Sequence, residues 1–394
     1  MFSRIPIVAC PLRIKEIGSA RARDPEKNRD DFSAVLADYI SASSLWLTNS
    51  GTSALYLLLQ ALARQSGRRE VIIPAYTAER VVAATQRAGL KPVLCDISLD
   101  DFNIDLQKIL SRVTADTLAV VCVHMFGIPV KGIETFTTAL PKEVFLIEDS
   151  CQALGSKVET RHVGSFSGAA IFSFNRGKNI PLYGGGAVAV HSSPLNAKVD
   201  ELAKKYLKRP GSLKESVLAA KLLALSLCVR PFVYGVFSPV LSWFKEQSPP
   251  EDILVEGITG LQAGLGIELF RRIDEFSRRR NENGMFLVKE LRGIEAIRLP
   301  QIPAHSFPAF NRFPVMVSDE KKKQEIEKKM GNIGIETSPM YRIPLHHFLD
   351  LGYTREEFPQ ANFFARSLVT LPVHPLVSCD TLAQMVQVVR SVFQ

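Results

Sequence analysis

Two rhythms of apolar residues alternate along the first half of the chain. Short runs dominated by apolar residues occupy Leu45–Leu47, Val71–Pro74, Lys91–Asp96, Leu118–Val123, Val144–Ile147, Ala169–Phe174 and Val188–Val190. Before the first of them, Phe32, Val35, Leu36 and Tyr39 recur at helical spacing within Asp31–Ile40, and between later ones Ala54–Ala63 and Glu79–Ala88 read as further helices. An unbroken apolar run marks a strand covered on both faces, as in a parallel sheet packed between helices. Four strand–helix repeats over about 110 residues therefore predict an α/β fold with a doubly wound, mainly parallel sheet.

The ends of these runs carry the candidate chemistry. Val144–Ile147 stops at two carboxylates, Glu148 and Asp149, and open α/β sheets place ligands at the carboxyl ends of their strands. Ala169–Phe174 leads into a loop with one lysine, Lys178, followed by Gly184, Gly185 and Gly186. Leu45–Leu47 leads through Thr48-Asn49-Ser50-Gly51-Thr52-Ser53 into the apolar helix. Strand, small-polar turn, helix aims free N–H groups at a phosphate; Ser50, Thr52 or Ser53 serve equally well as helix caps. His124, at the end of Leu118–Val123, reads as an acid–base candidate or as a structural hydrogen bonder.

The second half is less regular. Ala203–Arg209 is basic, Pro210-Gly211-Ser212 is a break, Val217–Val229 is apolar apart from Lys221, and Pro231–Phe244 carries no charge. Pro231, Gly235 and Pro239 argue against one straight helix. The uncharged runs, 8 residues at 222–229 and 14 at 231–244, fall short of the ~20 that cross a bilayer. Beyond Pro249-Pro250, Ile273-Asp274-Glu275 and Arg278-Arg279-Arg280 lie on an expected long helix. Phe313–Val317 then opens a final alternation of strand and helix.

Composition changes this picture in one region only. The chain is 46% hydrophobic and 22% charged over 394 residues, ordinary for a globular protein with room for two domains. Between Glu201 and Lys245, eight Lys or Arg face two acids, so this stretch carries +6 of the net +8. Its cations (Lys204, Lys205, Lys208, Arg209, Lys214) precede Phe232, Tyr234, Phe237, Trp243 and Phe244, a combination that suits an anionic membrane surface over residues 204–245. Helices buried against the body or a partner subunit are the other reading. The six cysteines show no CxxC or metal-ligand spacing, so they read as buried residues of a reducing compartment, with no metal. The N-terminus lacks a signal-peptide pattern. The expected location is cytoplasmic, peripheral to the inner face of the membrane where the basic segment docks, and no nucleic-acid partner is expected.

A lysine facing a strand-end aspartate suits pyridoxal phosphate, which binds covalently to an amine and needs a carboxylate to keep its ring nitrogen protonated. The flanking residues extend the match. Glu148-Asp149-Ser150-Cys151-Gln152-Ala153-Leu154-Gly155, then Gly164 and Gly168, then Ser173-Phe174-x-x-x-Lys178 and the glycine cluster resemble the sugar aminotransferases of the DegT/StrS type. Leu261–Gly266, Pro344-Leu345-His346-His347, Phe358-Pro359-Gln360-Ala361 and Leu371–Pro375 continue the likeness, which runs from about Leu45 to the C-terminus, apart from an insert at about 195–255.

This resemblance implies pyridoxal-phosphate fold type I. A large cofactor-binding domain would span 1–260 and a smaller C-terminal α/β domain 261–394. Lys178 would be the covalent and proton-transferring lysine, Asp149 the ring-nitrogen partner, and Gln152 a neighbour of the cofactor's phenolic oxygen. Gly51 and Thr52 would cradle the phosphate, with Ser173 a further ligand. Dehydratases of the family replace the lysine by histidine, so transamination is expected. The donor would be an amino acid, glutamate first, and the acceptor a nucleotide- or lipid-linked keto-sugar of cell-surface polysaccharide or glycolipid synthesis, in a homodimer that shares its sites. Three positions depart from the pattern. Ala78 stands where a ring-stacking aromatic is usual, leaving Tyr76 as the candidate for that contact. Val255-Glu256-Gly257 replaces an Asn-Tyr-Arg that reaches the partner's phosphate, and Met340 replaces a histidine before Tyr341. These departures support the alternative of an altered cofactor-binding member that acts as a membrane-surface interaction protein.

Overall fold

The computed structural model describes residues 4–9, 12–191, 193–228 and 253–394. The seven apolar runs form one sheet: β1 (Ser44–Thr48), β2 (Glu70–Pro74), β3 (Lys91–Cys95), β4 (Thr117–Val123), β5 (Phe145–Asp149), β8 (Ala169–Ser173) and β9 (Gly186–Val190). Two short strands, β6 (Lys157–Val158) and β7 (Arg161–His162), make a hairpin between β5 and β8. The order across the sheet is β1-β9-β8-β5-β4-β2-β3. All neighbours are parallel except β9, which runs antiparallel to both β1 and β8. Every residue of β4 is buried, as its unbroken apolar run requires of a central strand.

Helices α1 (Ile14–Ala22), α2 (Pro25–Tyr39), α3 (Gly51–Ala63), α4 (Glu79–Arg87), α5 (Leu106–Arg112), α6 (Ile133–Ala139), α7 (Ser193–Tyr206) and α8 (Ser212–Cys228) complete the first part. α3 is apolar nearly all round and is buried accordingly, packing on β8, β9, α4 and α7. α2 begins earlier than its apolar period suggests. Asp24 accepts the Lys27 N–H at 2.8 Å and Pro25 takes the first helical position, so a polar cap starts the helix before Phe32 opens the buried stripe.

α9 (Gly260–Phe270) lies across α1 and α2. A Cβ at Gly266 would stand 2.7 Å from the Phe32 ring, so glycine lets the helices approach while Phe32, Phe174 and Phe270 fill the joint. The long α10 (Ile273–Leu291) leads to an antiparallel sheet of β10 (Ile297–Arg298), β12 (Phe313–Val317) and β13 (Leu368–Leu371). α11 (Glu320–Asn332), α12 (Pro359–Ser367) and α13 (Cys379–Phe393) accompany it, and β11 (Ser306–Phe307) pairs back onto β6.

Among the described residues no helix is long and apolar enough to cross a membrane, and no group of three metal-ligating side chains occurs. Three of the cations expected to face a membrane are engaged instead: Lys204 with Asp200, Arg209 with Glu26 and Lys214 with Glu256. The aromatic stretch from Phe232 to Phe244 lies outside the described residues.

Candidate active site

The cradle arises where β1 turns into α3. Ser50 caps the helix, its Oγ accepting the Ser53 N–H at 3.1 Å, and the Thr48 hydroxyl donates to the Ser50 carbonyl at 2.8 Å. Thr52, at the second helical position, has no intrahelical acceptor for its N–H. Gly51 is fixed by packing. A Cβ there would lie 2.9 Å from Ser173 Cβ and 3.0 Å from Cys151 Sγ, so only glycine brings the helix start this close to the ends of β5 and β8. Gly186 is bound in the same way, since a Cβ on it would overlap the Ser50 backbone.

These approaches border a cavity of about 440 Å³, a size typical of ligand pockets. Lys178, Asp149, Gly51, Thr52, Gln152 and Ser173 all line it. Lys178 sits on a loop pinned on both sides: Asn311 Nδ2 donates to the Gly177 carbonyl at 2.5 Å, and Asn179 Nδ2 donates to Leu154 and Ala309 carbonyls at 2.7 and 2.9 Å. The Lys178 side chain makes no hydrogen bond or ion pair with a described residue. Asp149, the buried last residue of β5, receives the Cys151 N–H on Oδ1 at 3.0 Å. Gln152 is held by the Phe126 N–H, which donates to its Oε1 at 3.2 Å.

Glu148 precedes Asp149 on the strand and so faces the other side of the sheet. Its carboxylate accepts the N–H groups of Gly164, Phe166 and Ser167 at 2.7 to 2.8 Å and pairs with His124 Nε2 at 3.2 Å. The Val130 N–H donates to His124 Nδ1 at 3.0 Å, which leaves the ring proton on Nε2, donating to Glu148. Burial alone would raise the Glu148 pKa; His124 and the amides outweigh it and hold the carboxyl below its usual range. His124, wholly buried and absent from the cavity lining, is the structural bonder of the two readings.

Tyr76 is a correction to the sequence reading: it does not line the cavity. Its ring is buried against Phe364 and Tyr341, and its hydroxyl lies 3.1 Å from the Pro339 and Tyr341 carbonyls and 3.2 Å from the Tyr341 N–H. It ties the turn holding Met340 to the end of β2, while its neighbours Thr77 and Ala78 reach the cavity. Met340 adopts φ 59° in that turn, and Tyr341 lines the cavity. Burial, with Asp149 adding, pushes the Tyr341 phenol up. Burial and Asp149 also push the Cys151 thiol well up, against Lys178, so Cys151 is a neutral wall rather than a nucleophile.

Several lining residues, among them Ile253, Leu254, Arg80 and Arg176, carried no signal in the sequence. The segment holding Val255-Glu256-Gly257, whose family counterpart reaches toward a partner's phosphate, here folds over its own chain's cradle. Leu254 O accepts from Asn49 Nδ2 at 2.7 Å and Ser53 Oγ at 3.0 Å, and the Asn49 N–H donates to Glu256 O at 2.9 Å. Ile253 and Leu254 thereby form an apolar part of the wall. Arg80, in the first turn of α4, and Arg176, beside Lys178, also line the cavity. Nothing local distinguishes either arginine from an ordinary surface residue.

The model of the DegT/DnrJ/EryC1/StrS aminotransferase family matches residues 16–221 and 256–390. A dTDP-3-amino-3,4,6-trideoxy-alpha-D-glucose transaminase of Streptomyces venezuelae is 25% identical over 368 residues, covering 92% of this chain and 86% of its own length. A dTDP-4-dehydro-2,6-dideoxy-D-glucose 3-dehydratase of Saccharopolyspora spinosa is 26% identical over 325 residues, or 80% of this chain and 66% of the relative. Among solved structures, the pyridoxal-phosphate form of the putative sugar aminotransferase Spr1654 from Streptococcus pneumoniae superposes with a TM-score of 0.76. It covers 99% of this chain and all of that one at 20% identity, a likeness of fold.

Proposed function

The chain belongs to the DegT/DnrJ/EryC1/StrS aminotransferase family, pyridoxal-phosphate enzymes of fold type I, and we propose that it moves the amino group of glutamate to a nucleotide- or lipid-linked keto-sugar for cell-surface polysaccharide or glycolipid synthesis. One observation carries this reading: Lys178, Asp149 and the Gly51–Thr52 cradle border one cavity. The residues present fit the cofactor. The glycine-tight cradle admits a phosphate against the Thr52 N–H and hydroxyl and the Ser173 hydroxyl, and Asp149 offers a buried carboxylate.

When bound, the cofactor withdraws electrons from the substrate carbon. The protein supplies the rest. Asp149 would accept a hydrogen bond from the protonated ring nitrogen and keep that proton in place. Lys178, on its pinned loop, takes the proton from the donor's α-carbon with Nζ and returns one to the carbon of the new amine. Gln152, fixed by Phe126, would orient the oxygen side of the ring, and the apolar wall of Ile253 and Leu254 would limit access of water. A lysine at 178 favours transamination over dehydration.

A homodimer with shared sites accords with this reading, as does a cytoplasmic protein whose 204–245 segment rests on the membrane near a lipid-linked acceptor. The ion pairs of Lys204, Arg209 and Lys214 reduce the charge free for such docking.

Borohydride treatment tests the site. Purified protein should absorb in the visible, lose that band on adding glutamate, and carry a reduced pyridoxyl group on the Lys178 peptide. Lys178→Ala should abolish the label. A label on another lysine would refute the assignment, and a glutamate-insensitive spectrum would refute the donor.

A further inference from the structure

The cradle at Gly51–Thr52 offers a phosphate N–H groups and hydroxyls but no cation, and segment 253–257 does not bring one. Ile253 and Leu254 are apolar, and the Glu256 carboxylate is held by Lys214 at 2.6 Å. A phosphate dianion half-buried between two strand ends calls for a fixed positive charge. Asp149 is the cavity's only acidic lining residue among those described, and Lys178, Arg80 and Arg176 are its cations.

The packing of α3 on α4 singles out Arg80. β1 and β2 run the same way in the sheet, so the helices that follow them both travel back from the same edge and lie side by side. Their register can be read from the Arg87 guanidinium, which lies 5.7 Å from the centre of the Tyr56 ring. Arg80 lies seven residues before Arg87 on α4, about 10 Å up the axis at 1.5 Å per residue. The same climb from Tyr56 along α3 passes Thr52 and reaches Asn49 and Ser50. Arg80 thus stands level with the mouth of the cradle, lining the same cavity as Thr52, Leu55 and Val81. Its side chain is half-buried and makes no ion pair or hydrogen bond with a described residue. It also emerges from the first turn of α4, whose cap Ala78 supplies no side-chain hydrogen bond, so the positive end of a second helix points the same way.

We propose that Arg80 is a ligand of the cofactor's phosphate, a cation supplied from within the chain and carried by α4 rather than by the segment around Val255. This rests on the cofactor site above and adds a residue to it. A guanidinium presents paired N–H groups that match two phosphate oxygens, and loss of one such charge-assisted contact weakens binding tenfold to a hundredfold.

The test separates the phosphate from the rest of the cofactor. Apo-protein is titrated with pyridoxal phosphate and, separately, with pyridoxal, which has the same ring and aldehyde without the phosphate; the visible band of the Lys178 adduct reports binding. Arg80→Gln should weaken pyridoxal phosphate tenfold to a hundredfold and change pyridoxal less than twofold, and Arg80→Lys should restore part of the loss. Arg87→Gln, two turns away on the same helix, should bind both aldehydes like wild type. Unchanged affinity for pyridoxal phosphate in Arg80→Gln, or equal losses for the two aldehydes, would overturn the assignment. Absence of any adduct in wild type is a different result, which would remove the Lys178 site and this inference with it.

Discussion

Gly51→Ala adds one methyl group at the first residue of α3 and tests how the phosphate cradle is built. The new Cβ would stand 2.9 Å from Ser173 Cβ and 3.0 Å from Cys151 Sγ. Unstrained carbon contacts lie near 3.5–4.0 Å, so the start of α3 must retreat from the end of β8 by roughly 0.6–1 Å. Ser173 Cβ is fixed to the backbone of a buried strand and cannot swing away. Overpacking of this kind costs about 1–3 kcal/mol, while the better helix propensity of alanine returns at most about 1 kcal/mol. The net loss is about 1–2 kcal/mol, and a displacement near 1 Å moves the Thr52 N–H off its phosphate, with losses of up to about a hundredfold in what depends on that geometry. Urea unfolding midpoints and cofactor titration measure the two effects. Gly18→Ala is the control, since a Cβ there meets nothing within 4 Å inside helix α1; it should stabilise by about 0.5–1 kcal/mol. If Gly51→Ala shifts the midpoint in the same direction as Gly18→Ala and keeps wild-type cofactor affinity, the steric account of the cradle is wrong.

Two further outcomes follow from buried polar groups. His374 donates from Nε2 to the Pro6 carbonyl at 2.9 Å, and burial, with Arg280 adding, lowers its pKa from 6.5 to about 3. The unfolded chain therefore takes up the proton first, so stability is complete above pH 6.5 and falls as the pH drops toward 3, by about 2 kcal/mol at pH 5. His374→Gln keeps an N–H donor and should flatten the unfolding midpoint between pH 5 and 6.5; identical pH profiles would contradict it. Glu148→Gln replaces one carboxylate oxygen by an NH2 group; each oxygen accepts two of the four hydrogen bonds, so two of them become clashes of donors, and the change should cost about 3 kcal/mol in urea unfolding, whereas wild-type stability would show that the His124–Glu148 pair does not brace the sheet.

Strand ends were the legible part of the site. Lys178, Asp149, Gly51, Thr52, Gln152 and Ser173 each follow or close an apolar run, and a parallel sheet gathers such positions along one edge. Tyr76 shows where this logic stops. It lies in the same β2–α4 turn as Thr77 and Ala78, but the turn sends its side chain inward, to a hydroxyl contact with Tyr341 that is 265 residues away in sequence. Arg80, Ile253 and Leu254 were illegible for a related reason, because their place depends on how α3 meets α4 and on a strap that crosses the cradle. The start of α2 was hidden differently: Asp24 and Pro25 are cap chemistry, which apolar periodicity does not register.

Strand β9 has a consequence for how the chain is made. β1 pairs with no strand of the sheet except β9, which is synthesised roughly 140 residues later; at 5–20 residues per second that interval lasts on the order of 10–30 s. During it β1 and the apolar α3 have no completed sheet to join. The backbone of Ser50 and Gly51 packs directly against Gly186, so the phosphate cradle waits for β9 although its own residues are made early. A nascent chain stalled before Gly186 should carry Asp149 and Lys178 already synthesised and yet hold no cofactor.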